Sequence, residues 1–259
     1  MNTYLKISNM ALKIITFANH KGGVSKTTST ASIGACMALK GNKVLLIDLD
    51  GQANLTMYFI PEENDIDVSI FDSLVNGLPL PVKHIRENLD IVPSSLEMAS
   101  AEIALTNLLA REQILSRLLE PIKDSYDYIL IDCPPSLGIV TTNAFLAADE
   151  IIVPMTPELL PLRGMRMLDS FVSSLQVVKP SLNIGGVFIS RFNHRKLNRV
   201  VEDAVRVRYE KITMKTHIRE NIALAESAGS GMSIFEYDSK SNGALDYLAL
   251  TEEILSIND

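Results

Sequence analysis

Residues 19 to 28 read Asn-His-Lys-Gly-Gly-Val-Ser-Lys-Thr-Thr, and they predict more of the architecture than any other part of the chain. An apolar run at 12–18, which predicts a buried strand, precedes them, and a helix-compatible stretch at 28–39 follows. A strand, a glycine-containing loop with Lys-Thr and a helix form the setting of a phosphate-binding loop, because the loop amides and the helix N-terminus face an anion. We therefore predict a phosphate-binding loop at the end of the first strand.

The glycines of this loop do not stand where the common phosphate-loop pattern has them. In that pattern, G-x-x-x-x-G-K followed by serine or threonine, they would replace His20 and Ser25. Here they are Gly22 and Gly23, and an additional lysine, Lys21, precedes them. Taken alone, the stretch is also compatible with a Gly-Gly turn between solvent-exposed lysines, because such turns are common.

Two later apolar runs end in aspartate. Residues 46–56 read Leu-Ile-Asp-Leu-Asp-Gly-Gln-Ala-Asn-Leu-Thr, so Asp48 and Asp50 leave the second strand on the same side. Residues 126–136 form a hydrophobic strand that ends in Asp132 and is stopped by two prolines. We expect Asp48 near a bound γ-phosphate, orienting water or lying in the outer shell of a metal ion, and Asp132 holding Mg²⁺ through water.

Short apolar runs alternate with longer helical patterns along the whole chain. Nearly continuous Val/Ile/Leu runs are typical of parallel strands buried on both faces. The alternation predicts a doubly wound α/β domain with a mostly parallel sheet flanked by helices, and we assign residues 1–259 to one domain with an N-terminal extension at 1–11. Strands are predicted at 13–18, 44–49, 89–92, 128–131, 151–153 and 184–190, with an edge strand at 212–218, and helices at 28–39, 68–75, 96–119, 140–147, 162–178, 197–209 and 244–255.

Composition limits the class of protein. The 259 residues are 47% hydrophobic, which is ample for a core, and their net charge is −7. The sequence has no apolar stretch of about 18 residues that would predict a membrane span, and residues 1–11 lack the apolar middle of a secretory signal. Cys36 and Cys133 are far apart in sequence and suggest neither a disulfide framework nor a metal cluster. We expect a cytoplasmic protein.

Basic side chains are concentrated in residues 190–219. Nine basic and three acidic residues give this segment a charge of +6, so the rest of the chain carries −13. A basic segment on an acidic body is typical of a local anion-binding face, and a solvated helix surface is the alternative. The nine are Arg191, Arg195, Lys196, Arg199, Arg206, Arg208, Lys211, Lys215 and Arg219.

These motifs together resemble those of the ParA/MinD superfamily, whose members carry a deviant Walker A loop. The resemblance runs from about residue 12 to 255, with Gly51 and Ser239 standing where the family usually has proline. The stretch at 93–105, physically a capped amphipathic helix, is more typical of ParA-type partition ATPases than of MinD. The matching segments are Lys-Gly-Gly-x-x-Lys-Thr-Thr at 21–28, D-x-D-x-Q-x-N-x-T at 48–56, Asp-x-Pro-Pro at 132–135 and Tyr-Asp-x-x-Ser-x-Gly-Ala at 237–244.

The resemblance implies a Mg²⁺-ATP site in a P-loop NTPase. It implies that Lys26 holds the β- and γ-phosphates, that Thr27 ligates Mg²⁺ and that Asp48 is needed for hydrolysis. It also implies that Lys21 reaches across a dimer interface to the nucleotide of the partner subunit. The residues expected around the phosphates are Lys21, Gly22, Gly23, Val24, Ser25, Lys26, Thr27 and Thr28; Arg191 and Asn193 are candidates for contacting adenine, and solvent exposure is an equal alternative for both.

The resemblance further implies an ATP-dependent homodimer that binds DNA without sequence preference. In such a cycle a ParB-like partner stimulates slow hydrolysis, and the nucleoid-associated protein partitions a plasmid, a chromosome region or another cargo. Arg195 aligns with an arginine of the family's DNA surface, whereas Ala223 occupies another usual arginine position and Arg219 lies one residue from a third. The expected DNA-binding residues are Arg195, Lys196, Arg199 and Arg219.

Three other classes of protein are alternatives to a partition ATPase. A MinD-like, membrane-associated regulator of cell division needs a basic amphipathic C-terminal helix, but residues 250–259 are acidic. An iron–sulfur reductase needs two cysteines facing a dimer axis, which Cys36 in the first predicted helix does not provide. A sequence-specific repressor of this superfamily carries an N-terminal helix-turn-helix domain, and only eleven residues precede the first predicted strand.

Overall fold

Seven strands form one sheet in the computed structural model of the protein, which describes residues 12–61, 66–157, 161–193 and 195–258. The N-terminal extension predicted at 1–11 lies outside the described residues. The strands are β1 Lys13–Phe17, β2 Val44–Asp48, β3 Lys83–Arg86, β4 Leu89–Val92, β5 Tyr128–Asp132, β6 Glu150–Met155 and β7 Ile184–Ile189.

The strand order brings the three predicted motifs to one edge of the sheet. The order is β3-β4-β2-β5-β1-β6-β7, and every neighbouring pair is parallel except β3 with β4. β5 lies between β1 and β2, so that Asp132 is in register with Phe17 on one side and with Asp48 on the other. Ligands of such sheets bind outside the carboxyl ends of the strands, and both aspartates lie there beside the loop that follows β1.

Helices cover both faces of this sheet, which confirms the predicted doubly wound α/β class. The helices are α1 Lys26–Leu39, α2 Asn54–Phe59, α3 Ile70–Asn76, α4 Ala101–Ala104, α5 Ile114–Leu119, α6 Ile139–Ala147, α7 Pro161–Leu175, α8 Lys196–Arg208, α9 Ala223–Gly229, α10 Ile234–Asp238 and α11 Asn242–Asn258. One apolar core lies under α1, α2 and α9 to α11, and the other lies under α3 to α8. None of the described helices is both long and apolar enough to cross a membrane.

Burial on both faces explains the continuous apolar runs of the sequence. Along β2, Leu45 and Ile47 face one core while Leu46 faces the other, and all three are fully buried. Burying a side chain of this size contributes roughly 1.5–3 kcal/mol. Gly34 of α1 lets the helix approach the sheet, because a Cβ there would lie 2.5 Å from Leu46 Cδ2. The helix that follows the phosphate loop is thereby fixed directly against β2.

The prediction of one continuous helix at 96–119 is wrong. The chain forms a 3-10 helix at Leu96–Ser100, then α4, and resumes as α5 after Ala110, whose φ of 49° is left-handed and cannot continue a helix. The predicted side-chain cap is also absent: Ser95 makes no capping hydrogen bond, and its hydroxyl donates to Ser69 Oγ at 2.9 Å. Residues 93–119 therefore fold as short turns against the core.

The remaining differences lie at the sheet margins and between the predicted elements. Residues 212–218, predicted as an edge strand, form no regular strand: they pair with β7 through an isolated bridge between Thr213 and Val187 and through a hydrogen bond from the Ile218 amide to the Ile189 carbonyl at 2.8 Å. The sequence interpretation did not assign β3, α2, α9 or α10. β3 reads Lys-His-Ile-Arg, and a short polar edge strand of this kind has little of the apolar signal by which buried strands are predicted.

Candidate active site

Two left-handed residues shape the loop between β1 and α1. Gly23 has a φ of 71° and Ser25 a φ of 69°. Glycine accepts this conformation readily, whereas serine loses roughly 1 kcal/mol in it. The Ser25 carbonyl begins α1 by accepting from the Ser29 amide at 2.9 Å and from Ser29 Oγ at 2.6 Å. The loop therefore leads directly into a helix N-terminus, where backbone N–H groups attract anions.

Polar side chains that follow β1 and β7 hold the phosphate loop in place by hydrogen bonds. Asn19 donates to the Pro154 carbonyl at 2.8 Å and accepts from the Lys21 amide at 3.0 Å. Ser190, which follows β7, donates to the carbonyl of buried Val24 at 3.0 Å. Val24 thus anchors the loop through its carbonyl and its buried side chain. The sequence interpretation missed Ser190, whose signal is a single hydroxyl at the end of an apolar run.

The two lysines of the loop occupy different environments. Lys26 is only 7% exposed, and its ammonium group donates to the Lys21 carbonyl at 3.2 Å. The side chain therefore folds back over the loop, where it can compensate phosphate charge. Lys21, in contrast, is exposed. This difference is consistent with separate roles for the two lysines.

Thr27 and Asp132 form the centre of the candidate metal site. Thr27 Oγ1 donates to Asp132 Oδ2 at 2.6 Å. Asp132 is fully buried, and its Oδ1 has no hydrogen-bond partner among the described residues. Burial, and then the neighbouring charge of Asp48, raise the pKa of Asp132 well above its usual range. A buried carboxylate oxygen without a donor beside a hydroxyl fits Mg²⁺, which binds through few protein oxygens and retains waters.

Asp48 is held by a network of donors on the turn that follows β2. Its Oδ1 accepts from the Asp50 amide at 3.0 Å, and its Oδ2 accepts from the amide and the hydroxyl of Thr56 at 2.9 and 2.8 Å. Burial raises the pKa of Asp48 to about 6, and the Thr56 donors oppose this shift. The carboxylate is therefore rigid and fully buried. Asp50, two residues later, is the acid that lines the adjoining cavity.

A cavity of about 620 Å³ opens at this edge of the sheet. Most of the predicted phosphate-loop residues line it. Arg191 also lines it, with a left-handed φ of 53°. The complete lining is Gly22, Gly23, Ser25, Lys26, Thr27, Thr28, Asp50, Gln52, Asn54, Met57, Tyr58, Pro135, Arg191 and Ala228. The side chains from α2 and α9 give the cavity a wall that the motifs did not predict.

Asn193, the second candidate for contacting adenine, makes hydrogen bonds at the start of α8. Its Oδ1 accepts from the Arg195 amide at 3.3 Å and from Asn198 Nδ2 at 2.6 Å, and it is absent from the cavity wall. It therefore organises the start of α8. Arg191 remains the candidate for contact with a nucleotide base, and its guanidinium group lies 3.8 Å from Glu220.

The predicted DNA-binding residues fall into two groups. Arg195, Lys196 and Arg199 are exposed at the start of α8, and no carboxylate of the described residues lies within ion-pair distance of them. Arg219 instead pairs with Asp246, with Nη2 and Oδ1 2.6 Å apart. An isolated bridge between Phe192 and Arg219 places the segment that contains Arg219 beside the segment that precedes α8. Other arginines of the basic segment are also paired, as Arg206–Glu202 and Arg208–Asp169.

The raised pKa of Asp48 predicts how stability depends on pH. An ordinary aspartate has a pKa of 3.8, whereas Asp48 in the folded protein has a pKa of about 6. The folded state therefore binds more protons between these values, and the Asp48 contribution to the free energy of unfolding is lost as pH rises through about 6. The raised pKa of Asp132 acts in the same direction.

We expect the free energy of unfolding of the nucleotide-free protein to fall as pH rises, relative to that of an Asp48→Asn variant, which cannot ionise at this position. Chemical denaturation of both proteins at pH values from about 3.5 to about 7.5 measures it, because this range spans both pKa values. The difference in free energy of unfolding, wild type minus variant, should fall as pH rises. A difference that stays constant or increases contradicts the raised pKa.

Comparisons with known proteins agree with this geometry. A family model described as an AAA domain matches residues 12–184. The sporulation initiation inhibitor protein Soj of Bacillus subtilis is 38% identical over 251 residues, covering 93% of this chain and 98% of that protein. The chromosome partitioning protein ParA of Myxococcus xanthus is 35% identical, covering 94% of this chain and 88% of that protein.

Solved structures share the fold over nearly the full described length. Cobyrinic acid a,c-diamide synthase of Mycobacterium smegmatis, with bound ATP analog and magnesium, is 31% identical with a TM-score of 0.83, covering 95% of both chains. A plasmid partition protein of Borrelia burgdorferi is 27% identical with a TM-score of 0.76, covering 95% of this chain and 97% of that one.

The sheet order, the phosphate loop and the Thr27–Asp132 pair define a P-loop nucleotide-binding ATPase. The matches to Soj and ParA then narrow the class. The chain belongs to the AAA domain family and, within it, to the ParA-type partition ATPases.

Proposed function

We propose that this protein is a Mg²⁺-ATP-dependent ATPase that dimerises with ATP and then binds DNA without sequence preference. A ParB-like partner stimulates hydrolysis, and the cycle partitions or positions a plasmid, a chromosome region or another cargo. The observation that carries the proposal is the arrangement of buried Asp132 beside the phosphate loop. One oxygen of Asp132 accepts from the Thr27 hydroxyl, and the other has no hydrogen-bond partner among the described residues. Lys26 of the same loop supplies the positive charge. The proposed location is the cytoplasm, in association with the nucleoid.

Each part of the site has a distinct task in hydrolysis. Lys26 compensates the charge of the β- and γ-phosphates, and the Thr27 hydroxyl together with Asp132, the latter through water, would hold Mg²⁺. When bound, the ion neutralises charge that develops on the phosphate oxygens. Asp48 orients the attacking water or the outer shell of the ion. These residues supply positioning and electrostatic stabilisation, which carry most of the catalysis of phosphoryl transfer.

The surroundings of Asp48 support slow intrinsic turnover. Both of its oxygens accept hydrogen bonds from the turn that follows β2, and the cavity wall is formed by Asp50 instead. Asp48 therefore needs a rearrangement of this turn before it can act on a water beside the γ-phosphate. A partner protein that binds the rearranged turn more tightly would accelerate hydrolysis, because it would increase the population of the conformation from which the reaction proceeds.

The exposed Lys21 supports a dimer in which nucleotide is shared. Its backbone amide donates to Asn19 and its carbonyl accepts from Lys26, while the residue as a whole is exposed. A lysine in this position can reach a phosphate of a facing subunit, and its charge there would stabilise an assembly that depends on ATP. Loss of the γ-phosphate would then weaken the dimer.

The start of α8 supports a DNA-binding face. Arg195, Lys196 and Arg199 lie beyond the carboxyl end of β7, at the same edge of the sheet as the phosphate loop, and they have no compensating carboxylate among the described residues. Arg219 belongs to the neighbouring segment, but Asp246 already compensates part of its charge. We therefore assign the main phosphate contacts to the three residues of α8 and its cap, and a smaller contribution to Arg219.

Salt dependence tests this face. Neutralising three or four DNA phosphates should make log affinity fall with log salt at a slope of about −3. We expect this slope for the ATP state on unrelated duplexes, and removing Arg195 and Arg199 together should reduce it by about 2. Fluorescence anisotropy over a salt series measures both values.

Lys123→Ala is the matched control for the loss of a positive charge. Lys123 precedes β5 at the opposite edge of the sheet and is paired with Glu120. This variant should keep the wild-type slope. Affinity that does not change with salt, or that is absent with ATP, would refute the DNA-binding part of the proposal.

A further inference from the structure

One segment of the chain contacts both the turn that follows Asp48 and the start of α6, the helix that comes after Asp132. We call residues 94–102 the linking segment. At its start, the amide of buried Ser94 donates to Thr56 Oγ1 at 2.8 Å, and the same hydroxyl donates to Asp48. Ser94 Oγ donates to the Asp50 carbonyl at 2.7 Å. The linking segment is therefore bonded to the turn that holds Asp48.

Gly51 brings the middle of the linking segment against the same turn. A Cβ at Gly51 would lie 2.7 Å from the Ala99 amide nitrogen and 3.2 Å from the Met98 carbonyl carbon. Both are backbone atoms, so a side chain at residue 51 fits only if the linking segment shifts. Gly51 therefore permits a close approach of the two segments.

The end of the linking segment caps the N-terminus of α6. Glu102 Oε2 accepts from the Ile139 amide at 2.8 Å, and Oε1 accepts from the Val140 amide at 3.4 Å. These are the first two amides of α6, whose N-cap, Gly138, offers no side-chain cap. A carboxylate at a helix N-terminus satisfies unpaired amides and interacts favourably with the helix dipole. A Cβ at Gly138 would lie 2.6 Å from Glu102 Cδ, so this glycine admits the carboxylate.

The start of α6 in turn determines where the loop after Asp132 can lie. That loop contains two prolines with restricted backbones, and the second, Pro135, lines the nucleotide cavity. We propose that Glu102 is a positioning residue for ATP hydrolysis, holding the loop after Asp132 in a fixed relation to the turn after Asp48. Glu102 contacts neither the cavity nor the acids and acts through α6 and the linking segment. This inference rests on the ATPase function proposed above.

The test compares Glu102→Ala and Glu102→Gln with the wild-type protein. Glutamine keeps one carbonyl oxygen for the Ile139 amide and loses the second acceptor, so it should retain part of the function. We expect kcat for ATP hydrolysis, measured per folded nucleotide site, to fall about tenfold in the alanine variant and less in the glutamine variant. The KM for ATP should stay within about twofold of wild type, since the phosphate loop is untouched.

Glu253 supplies a matched control. Its carboxylate also accepts two backbone amides, those of Lys215 and Thr216 at 2.7 and 3.0 Å, but from α11 on the other face of the sheet. Glu253→Ala and Glu253→Gln should lower thermal stability and leave kcat per folded site unchanged. A purely structural role for Glu102 would give the same result as this control.

Hydrogen exchange separates positioning from general stability. We expect Glu102→Gln to increase exchange at the Val140 amide, and Gly51→Ala to increase it at Ile139 and Val140, although Gly51 does not touch α6.

If Glu102→Ala does not fold, Glu102→Gln and Gly51→Ala carry the test. A wild-type protein that binds ATP without hydrolysing it overturns the proposed function itself. Wild-type hydrolysis with unchanged kcat in the Glu102 variants, or unchanged exchange at α6 in Gly51→Ala, overturns the role of Glu102.

Discussion

Asp48→Ala is expected to reduce ATP hydrolysis by about 10²- to 10⁴-fold while ATP binding persists. The phosphate loop does not depend on the Asp48 side chain, because its own contacts run to Asn19, Ser190 and Lys26. Loss of the carboxylate removes the group that we propose orients water or the outer shell of the metal ion. Phosphate release under single-turnover conditions, together with equilibrium binding of a fluorescent ATP analogue, measures the two effects separately.

The variant needs a control for structural damage. Alanine leaves the Asp50 amide and both Thr56 donors without their acceptor, and each such loss costs roughly 1–3 kcal/mol when the group is buried. Asp48→Asn keeps the side-chain shape and one carbonyl acceptor. We expect it to be more stable than the alanine variant and almost as inactive. Normal turnover in a folded Asp48→Ala protein would remove Asp48 from the mechanism.

Lys26→Ala is expected to weaken ATP binding by about 100-fold or more. The buried ammonium group is held over the loop by the Lys21 carbonyl, at the place where the β- and γ-phosphates would lie. Hydrogen bonds to charged groups contribute roughly 1.5–3 kcal/mol each, and 2.7 kcal/mol is about 100-fold in affinity. Isothermal titration with ATP and Mg²⁺ measures the loss.

Lys40→Ala is a suitable comparison for this substitution. Lys40 follows the same helix, α1, at its far end and forms an exposed ion pair with Glu252. Removing it changes the net charge equally but leaves the phosphate loop intact, so ATP affinity should stay at the wild-type value. Binding by Lys26→Ala within about threefold of wild type would contradict the assignment of the phosphate-binding lysine.

The sequence predicted those parts of the fold that depend on local signals. β2 and β5 are continuous apolar runs ending in aspartate, so their position in the sheet and their burial could be inferred together. The phosphate loop was predicted from Lys21 to Thr28 because strand, glycines, lysine and helix follow one another directly in the chain. Register placed Asp48 and Asp132 side by side, as expected for parallel strands that end at the same edge.

Contacts between distant segments could not be predicted in this way. Glu102 caps a helix that begins at Ile139, and Ser190 holds the carbonyl of Val24; no spacing in the sequence announces either pair. The predicted helix at 96–119 had suitable side chains throughout, but the left-handed backbone at Ala110 interrupts it. Tertiary packing overrode helix propensity there.

The charged face shows the same limit. The sequence identified an excess of basic residues between 190 and 219, but it did not show that Arg206, Arg208 and Arg219 are paired with acids. Two of those acids, Asp169 and Asp246, lie outside the basic segment in the chain. The net charge of a segment therefore overestimates the charge available to a ligand, and the exposed residues at the start of α8 are the better candidates.

The central claim is that ATP, shared through Lys21, joins two subunits. Sedimentation equilibrium of Asp48→Ala with ATP and Mg²⁺, compared with the double variant Asp48→Ala/Lys21→Ala under the same conditions, tests it most directly. We predict a dimer for the single variant, and a monomer for the double variant and for the single variant with ADP. A monomeric single variant that has bound ATP, or a dimer that persists without Lys21, would contradict the claim.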